Sequence, residues 1–281
     1  MISNVGVSIM GINLTVLQKP LIALVQQAGE AILEIYEKSR QYAVQIKADH
    51  SPVTQADLAA NVILTAGLRA LTPEYPVLSE EGISTPWSER QTWTHYWLID
   101  PLDGTRQFIQ HNGEFTVNVA LIQNNQPIIG LLHVPVTGET YYASTAWGGA
   151  YKQDAHQQIR PLRVRLWRTD ETIILTSRAA RAARIHELFS HLGALTQIGM
   201  SSALKFGRLA EGKADLSPRL GDTSEWDTAA GQCILELAGG ALVDLTGKPL
   251  RYNTRDIVLN PHFIAVGDAD HLLKRLVGWA E

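Results

Sequence analysis

The sequence predicts an α/β protein built as an α+β N-terminal half followed by an α/β C-terminal half. Three observations carry this. Residues 17–35 and 54–71 place apolar side chains three and four apart, the helical period. Residues 76–152 break into short runs divided by turn residues, the texture of a largely antiparallel meander. After Arg160-Pro161, short apolar runs alternate with helical ones, which argues for strands joined by helices. A chain of 281 residues has room for two domains at roughly 150 residues each. The divisions read as an N-terminal extension over 1–16, an N-terminal half over 17–158 and a C-terminal half over 159–281.

In the first half, Leu21, Val25, Ala28, Ile32 and Ile35 form one helix stripe. Tyr42, Val44 and Ile46 alternate like a strand. A second helix is predicted from about Thr54 to Leu71, stopped by Thr72-Pro73. Strands are expected at 76–79, 96–100 and 115–123, the last alternating Val117, Val119 and Leu121. Asn124-Asn125 turns the chain into 128–133, with further strands at 140–143 and 150–152.

The second half reads as strand 173–176, helix 178–192, strand 195–198, helix 202–211 and strand 214–216. Helix 226–237, strands 241–244 and 263–266 and helix 270–279 follow.

Composition narrows the function. With 45% hydrophobic and 19% charged residues, the chain is globular rather than disordered. Its 24 Lys and Arg against 28 Asp and Glu leave a net charge of −4, which argues against a nucleic-acid polymer as partner. Phosphate chemistry would therefore need cations that the chain does not carry in surplus. One cysteine, Cys233, cannot form an internal disulfide or a cysteine-based zinc site. No apolar run approaches the ~20 residues that span a bilayer, and no basic amphipathic helix suggests an anchor.

Three familiar patterns fail on their chemistry. Gly207 to Lys213 has the spacing of a phosphate-binding loop, but Ala214 stands where a hydroxyl must hold magnesium. His186-Glu187 and His191 would lie about 140° apart around a helix, not on one face. Gly199 to Ala203 lacks the closing glycine of a nucleophile elbow.

The acids are more informative. Asp100-Pro-Leu-Asp103-Gly104 follows an apolar strand, and Glu80-Glu81-Gly82 closes another. Either pair alone fits an ordinary turn. Two strands that both end in paired acids are a different matter, because hard oxygen ligands suit magnesium. Asp57 also fits a capping box begun by Thr54, and Asp227 also fits the first turn of a helix.

The runs Trp97-Leu-Ile-Asp100-Pro-Leu-Asp103-Gly-Thr105 and Glu225-Trp-Asp227-Thr-Ala-Ala-Gly231 resemble the inositol monophosphatase superfamily. The resemblance is closer to its CysQ branch, the 3′(2′),5′-bisphosphate nucleotidases. It extends to Lys47–Asp57, Pro76–Glu81, Asn112–Leu121, Ser202–Phe206 with Ala210–Gly212, and Leu259–Pro261. It implies a layered αβαβα sandwich of the inositol monophosphatase and sugar phosphatase type, with the site between the halves. It implies a lithium-sensitive phosphomonoesterase using two or three Mg2+ ions. Glu80, Asp100, the Leu102 carbonyl, Asp103 and Asp227 would hold metal. Asp57 and Thr105 would polarise the attacking water, with Glu81 beside a further ion.

Gly104, Ser202, Lys205 and Arg219 join Glu80, Leu102, Asp103, Thr105 and Asp227 on the substrate side. The implied substrate is a small phosphate ester, a nucleoside bisphosphate; an inositol or sugar phosphate is the alternative. The implied setting is a cytoplasmic monomer or homodimer, peripheral to the inner membrane's inner face at most. The chain departs from the CysQ pattern at Ser201 (usually glycine), Ser217 (usually tyrosine) and Asp222 (usually proline). Arg178, Arg181 and Arg184 recur every three residues, a spacing better explained by a solvated helix face than by a binding site.

Overall fold

A computed structural model describes residues 8–9, 12–41, 52–82, 85–178 and 182–276. A short ribbon, β1 (Ser8–Ile9) with β2 (Ile12–Asn13), leads into α1 (Leu14–Gln41). Helix α1 begins three residues before the start expected at 17, because Leu14 and Leu17 are also buried and the Trp147 indole donates to the Leu14 carbonyl. Helix α2 (Pro52–Leu71) packs beside it. Pro52 opens α2, a position that tolerates the missing N–H. Asp57 therefore sits in the second turn, because α2 begins two residues before Thr54 rather than after it. The strand expected at Tyr42–Ile46, the motif start Lys47–Ser51 and Arg181 lie outside the described residues.

Next come β3 (Val77–Ser79), a 3-10 turn over Glu80–Gly82, and α3 (Trp87–Arg90). Then follow β4 (His95–Asp103), α4 (Thr105–Ile109), β5 (Thr116–Gln123), β6 (Gln126–Val134), β7 (Glu139–Ser144), β8 (Gly149–Gln153) and β9 (Ile159–Pro161). The seven strands β3–β9 form one sheet in sequence order, parallel only between β3 and β4. Asn124 and Asn125 turn β5 into β6 with φ of 47° and 65°, a left-handed pair that asparagine tolerates.

The remainder contains β10 (Thr172–Thr176), α5 (Ala182–Phe189), β11 (Leu195–Gly199), α6 (Leu204–Ala210) and β12 (Leu216–Arg219). A 3-10 turn over Glu225–Asp227, α7 (Ala229–Leu237), β13 (Ala241–Asp244), β14 (Phe263–Val266) and α8 (Leu273–Leu276) close it. The five strands are ordered β11-β10-β12-β14-β13. β10 runs parallel to β11 and β12, while β14 is antiparallel to β12 and β13. The helices here are shorter than their sequence periods suggest. Of the one expected from 178, Arg178 itself lies in a turn and helix is described from Ala182 to Phe189, and the one expected from 226 is interrupted by the 3-10 turn that carries Asp227. Strand β12 runs to Arg219 rather than ending at Leu216.

Strand alternation stacks these pieces into five layers. Trp97, Ile99, Val117, Val119, Leu121, Ile129 and Leu131 face α1 and α2. Leu98, Ala120, Ile122 and Leu132 face α6 and α7 on the opposite side. The same middle core takes Leu175, Leu242, Phe263 and Ala265 from the second sheet. Ile174, Leu216, Val243, Ile264 and Val266 point outward to α5 and α8. The order is α, β, α, β, α. No described helix is long and apolar enough to cross a membrane.

Candidate active site

Sheet pairing brings the first acids together. β3 lies parallel to β4 with Ser79 opposite Ile99, so both strands end on the same edge and hand Glu80 and Asp100 to one place. Register then slips between Asp100 and Asp103, lifting Pro101 and Leu102 out of the ladder. The Leu102 N–H turns back to Asp100 Oδ1 at 3.0 Å, and the Leu102 side chain anchors in the core beneath α1 and α2. Gly104 follows with φ 107°; a Cβ there would lie 3.0 Å from the Glu114 carbonyl, so the chain can pass this point only as glycine. Thr105, exposed, begins α4.

Asp227 arrives from the middle helical layer. Its Oδ2 accepts the Ser224 N–H at 2.9 Å, which fixes the 3-10 turn before α7. Carboxylate oxygens of Asp100, Asp103 and Asp227 lie within 4.8 Å of one another, a group able to hold a metal ion. Glu80 bonds toward Asp100 and the Trp226 residue. Asp57 reaches in from α2 beside Glu81 and Glu80. Three of the six acids thus share one small volume, and Glu80, Glu81 and Asp57 interact with them or with one another at its edge.

Their crowding has an electrostatic cost. Burial, then the charges of Glu81 and Glu80, push Asp57 up to about 8. Burial, with Asp103 next, pushes Asp227 up to about 7. Burial and the surrounding acids hold Asp100 well above the usual range, and Asp100 is only 1% exposed. Desolvation also raises Glu80, although its outer side remains exposed. Asp103 is raised by burial but moderated by Lys205, the Ala203 N–H and Asn118. Asp57 Oδ1 is buried without a hydrogen-bond partner. Crowded oxygen donors with an unpaired buried oxygen fit a hard divalent cation, which would remove the repulsion.

Beside the acids lies a cavity of ≈ 580 Å3, within the range of small-molecule sites. Asp103, Gly104, Thr105, Ser202, Lys205, Arg219 and Asp227 line it. Arg106 and Arg178 line it too. The chain is acidic in sum, yet four cations converge here. Lys205 is half-buried and donates to the Ser202 carbonyl at 2.8 Å; desolvation lowers it to about 8. Arg219 Nη2 donates to the Asp222 carbonyl at 2.7 Å. Ser201 and Ser217 also face the cavity. No hydrogen bond joins Thr105 to Asp57 among the described residues.

Sequence reasoning passed over Arg106 and Glu114, and set Arg178 aside as part of a solvated helix face. Arg178 precedes α5 instead of lying on it, so the solvated-face reading does not apply to it, whereas Arg184 does pair along that helix with Glu187 at 2.8 Å. Glu114 sits in the quoted Asn112–Leu121 run, but nothing local marks it.

The family model described as inositol monophosphatase family matches residues 13–276. The chain belongs to the inositol monophosphatase family. The 3′(2′),5′-bisphosphate nucleotidase CysQ of Escherichia coli (strain K12) is 45% identical over 240 residues, 85% of this chain and 95% of that protein. The protein of that name from Aggregatibacter actinomycetemcomitans is 42% identical over 256 residues, 91% of this chain and 94% of that protein. The crystal structure of CysQ from Bacteroides thetaiotaomicron, a bacterial member of the inositol monophosphatase family, superposes with a TM-score of 0.80 at 37% identity, covering 91% and 99% of the two chains. An inositol monophosphatase from Anabaena shares the fold, with a TM-score of 0.72 at 23% identity over 94% and 96%. The sandwich expected from the resemblance is the one this family member has.

Proposed function

We propose that this chain is a magnesium-dependent 3′(2′),5′-bisphosphate nucleotidase that removes the 3′-phosphate of adenosine 3′,5′-bisphosphate, giving AMP and phosphate. 3′-Phosphoadenylyl sulfate is a related substrate. The observation that carries the reading is the meeting of Asp100, Asp103 and Asp227 at one end of a cavity with four cations. The identity with curated nucleotidases supports it.

Glu80, Asp100, Asp103, Asp227 and the Leu102 carbonyl would hold two or three Mg2+ ions. Bound there, magnesium supplies Lewis acidity and a lowered pKa for water. The chain's own residues do the rest. Asp57 Oδ1, buried and unpartnered, accepts the proton of the attacking water, and Thr105 orients that water from the start of α4. Glu81, next to Asp57, would help hold a further ion. Gly104 and Ser202 leave room at the cavity wall, and Lys205 and Arg219 balance the substrate's charge.

The test is phosphate release from adenosine 3′,5′-bisphosphate and from inositol 1-phosphate, in magnesium, in EDTA and with lithium added. The bisphosphate is the faster substrate, EDTA stops turnover and lithium slows it. Asp100→Asn and Asp227→Asn each lose about 1,000-fold, several kcal/mol of transition-state stabilisation. Undiminished turnover in EDTA, or faster release from inositol 1-phosphate, defeats the assignment.

A further inference from the structure

Arg90, on α3 of the first half, is a cation only 3% exposed, and it lies outside the cavity lining and the acid cluster. Its guanidinium reaches across to one loop of the second half. Nη1 donates to Asn253 Oδ1 at 2.7 Å and to the Arg255 carbonyl at 3.2 Å, and Nη2 donates to the Asp256 carbonyl. Asn253 answers it: its Nδ2 donates to the Arg90 carbonyl at 2.5 Å. The Asp256 carboxylate is 77% exposed and adds little as an ion pair. A buried guanidinium is costly unless hydrogen bonds replace its water, so helix and loop stay together or the charge is stranded.

Asn253 carries that hold onward through its main chain. Its N–H donates to both carboxylate oxygens of Glu225, at 3.0 and 2.8 Å. Glu225, 2% exposed, opens the 3-10 turn that carries Asp227. The same loop grips the main chain of the turn. The Glu225 N–H donates to the Val258 carbonyl at 2.8 Å, and Asn260 Nδ2 donates to the Ser224 carbonyl at 2.6 Å. From the first sheet, Asn125 Nδ2 holds the Tyr252 and Asn253 carbonyls at 2.6 and 3.0 Å. Arg90 stands ten residues after Glu80, and Asn125 follows β5, which pairs with the strand bearing Asp100 and Asp103. The loop therefore links the segments that carry Glu80, Asp100 and Asp103 to the turn that carries Asp227.

We propose that Arg90 and Asn253 are positioning residues of the metal site: they clamp Glu225, and through it set where Asp227 stands relative to Glu80, Asp100 and Asp103. This rests on the magnesium reading of those acids and extends it to side chains that touch neither ion nor substrate. Asp227 is the one acid of the six that the second half delivers. A metal site needs its ligands within about 0.5 Å of the working geometry. Packing of α7 on the first sheet brings the turn close, and directional hydrogen bonds supply the remaining precision.

The test compares Asn253→Gly and Arg90→Lys in the full chain. Glycine accepts the φ of 51° and keeps the N–H to Glu225, so only the tie to Arg90 is lost. Lysine keeps the charge but not the planar fork. Lys152→Met is the control. Lys152, on β8, is 3% exposed and joins Glu211 at the end of α6 at 2.6 Å, so it too ties the halves, outside the cavity lining and the acid cluster. Calorimetric titration with MgCl2, without substrate, gives the Mg2+ dissociation constant. Thermal unfolding gives stability, and phosphate release from adenosine 3′,5′-bisphosphate gives kcat and the Mg2+ activation constant. All three variants melt lower. Asn253→Gly and Arg90→Lys each raise the Mg2+ dissociation constant about 10-fold, the lower end for partners beyond the ligands themselves, and the activation constant rises in step. Saturating magnesium returns kcat to within about three-fold, because the ligands are intact. The double variant weakens Mg2+ by less than the product of the two, since both act on one clamp. Lys152→Met leaves both magnesium constants within about two-fold, as expected of an independent site.

A wild type that binds Mg2+, with Asn253→Gly and Arg90→Lys melting lower yet keeping its Mg2+ constant, overturns the positioning role and leaves the metal reading standing. Equal weakening of Mg2+ by Lys152→Met overturns it too, since any loosened tie between the halves would then suffice. Fully multiplicative effects of the two substitutions overturn the shared clamp. A wild type that binds no Mg2+ overturns the metal reading, and this proposal with it.

Discussion

His133 offers a direct test of how the first sheet packs. It lies on β6 under α1, 5% exposed. A Cβ on Gly29 of α1 would fall 2.4 Å from His133 Cδ2, so the helix rests on the ring itself. Nδ1 pairs with Thr140 Oγ1 at 2.9 Å. Burial lowers the ring's pKa from 6.5 to about 4, and a backbone bond to Glu139 only partly opposes it. The folded value lies below the unfolded one, so the unfolded chain takes up the proton first. This contribution is complete above pH 6.5 and is lost as pH falls toward 4. At about 1.36 kcal/mol per pH unit, the loss is roughly 3 kcal/mol.

Buried acids with raised values push stability the opposite way as pH falls, so a comparison with a variant isolates the ring. Urea unfolding of wild type and His133→Gln between pH 7.5 and 4.5 is the assay. The wild type loses more stability over that range than the variant does. NMR titration of the ring in the wild type is an independent check. Equal pH slopes, or a ring that titrates at 6 or above, would refute the packing argument.

The acid cluster predicts a stability difference that needs no substrate. In EDTA at pH 8, Asp100→Asn melts a few degrees higher than wild type, because one of the mutually repelling buried carboxylates is gone. Magnesium then raises the wild-type melting temperature but not that of the variant, which calorimetry will read. At the junction of α6 and α7, a Cβ on Gly231 would lie 2.2 Å from Phe206 Cδ2. Gly231→Ala therefore costs about 1–3 kcal/mol in chemical denaturation, the usual penalty of overpacking; a neutral result would mean that these helices can separate freely.

Much of the fold was legible because its signals are local. The alternation of Val117, Val119 and Leu121 and the three-and-four spacing of Leu21, Val25, Ala28 and Ile32 are fixed by the geometry of strand and helix, so neighbours in the chain suffice to show them. The elements α3 and α4 escaped notice because four or five residues are too few to display a period. The helices expected from 178 and 226 were drawn too long for a related reason. An apolar stripe shows which residues face a core, not where a turn or a 3-10 segment interrupts the hydrogen-bond ladder.

The acids were visible too, as turn-forming pairs after two strands, and family resemblance supplied their roles. What local spacing alone could not supply was their meeting. That depends on β3 lying parallel to β4, on the register slip between Asp100 and Asp103, and on α7 packing over the same sheet from the side opposite α2. Arg178 makes the contrast sharper. Its sequence neighbours suggest a solvated helix face, whereas its partner Glu114 is 64 residues away along the chain. The sequence by itself determined the period of each segment, the charge the protein carries and the residue types able to hold a divalent ion. The tertiary structure alone decided which charges stand next to one another, because Coulomb forces and hydrogen bonds act over distance in space, and that distance is set by packing rather than by separation along the chain.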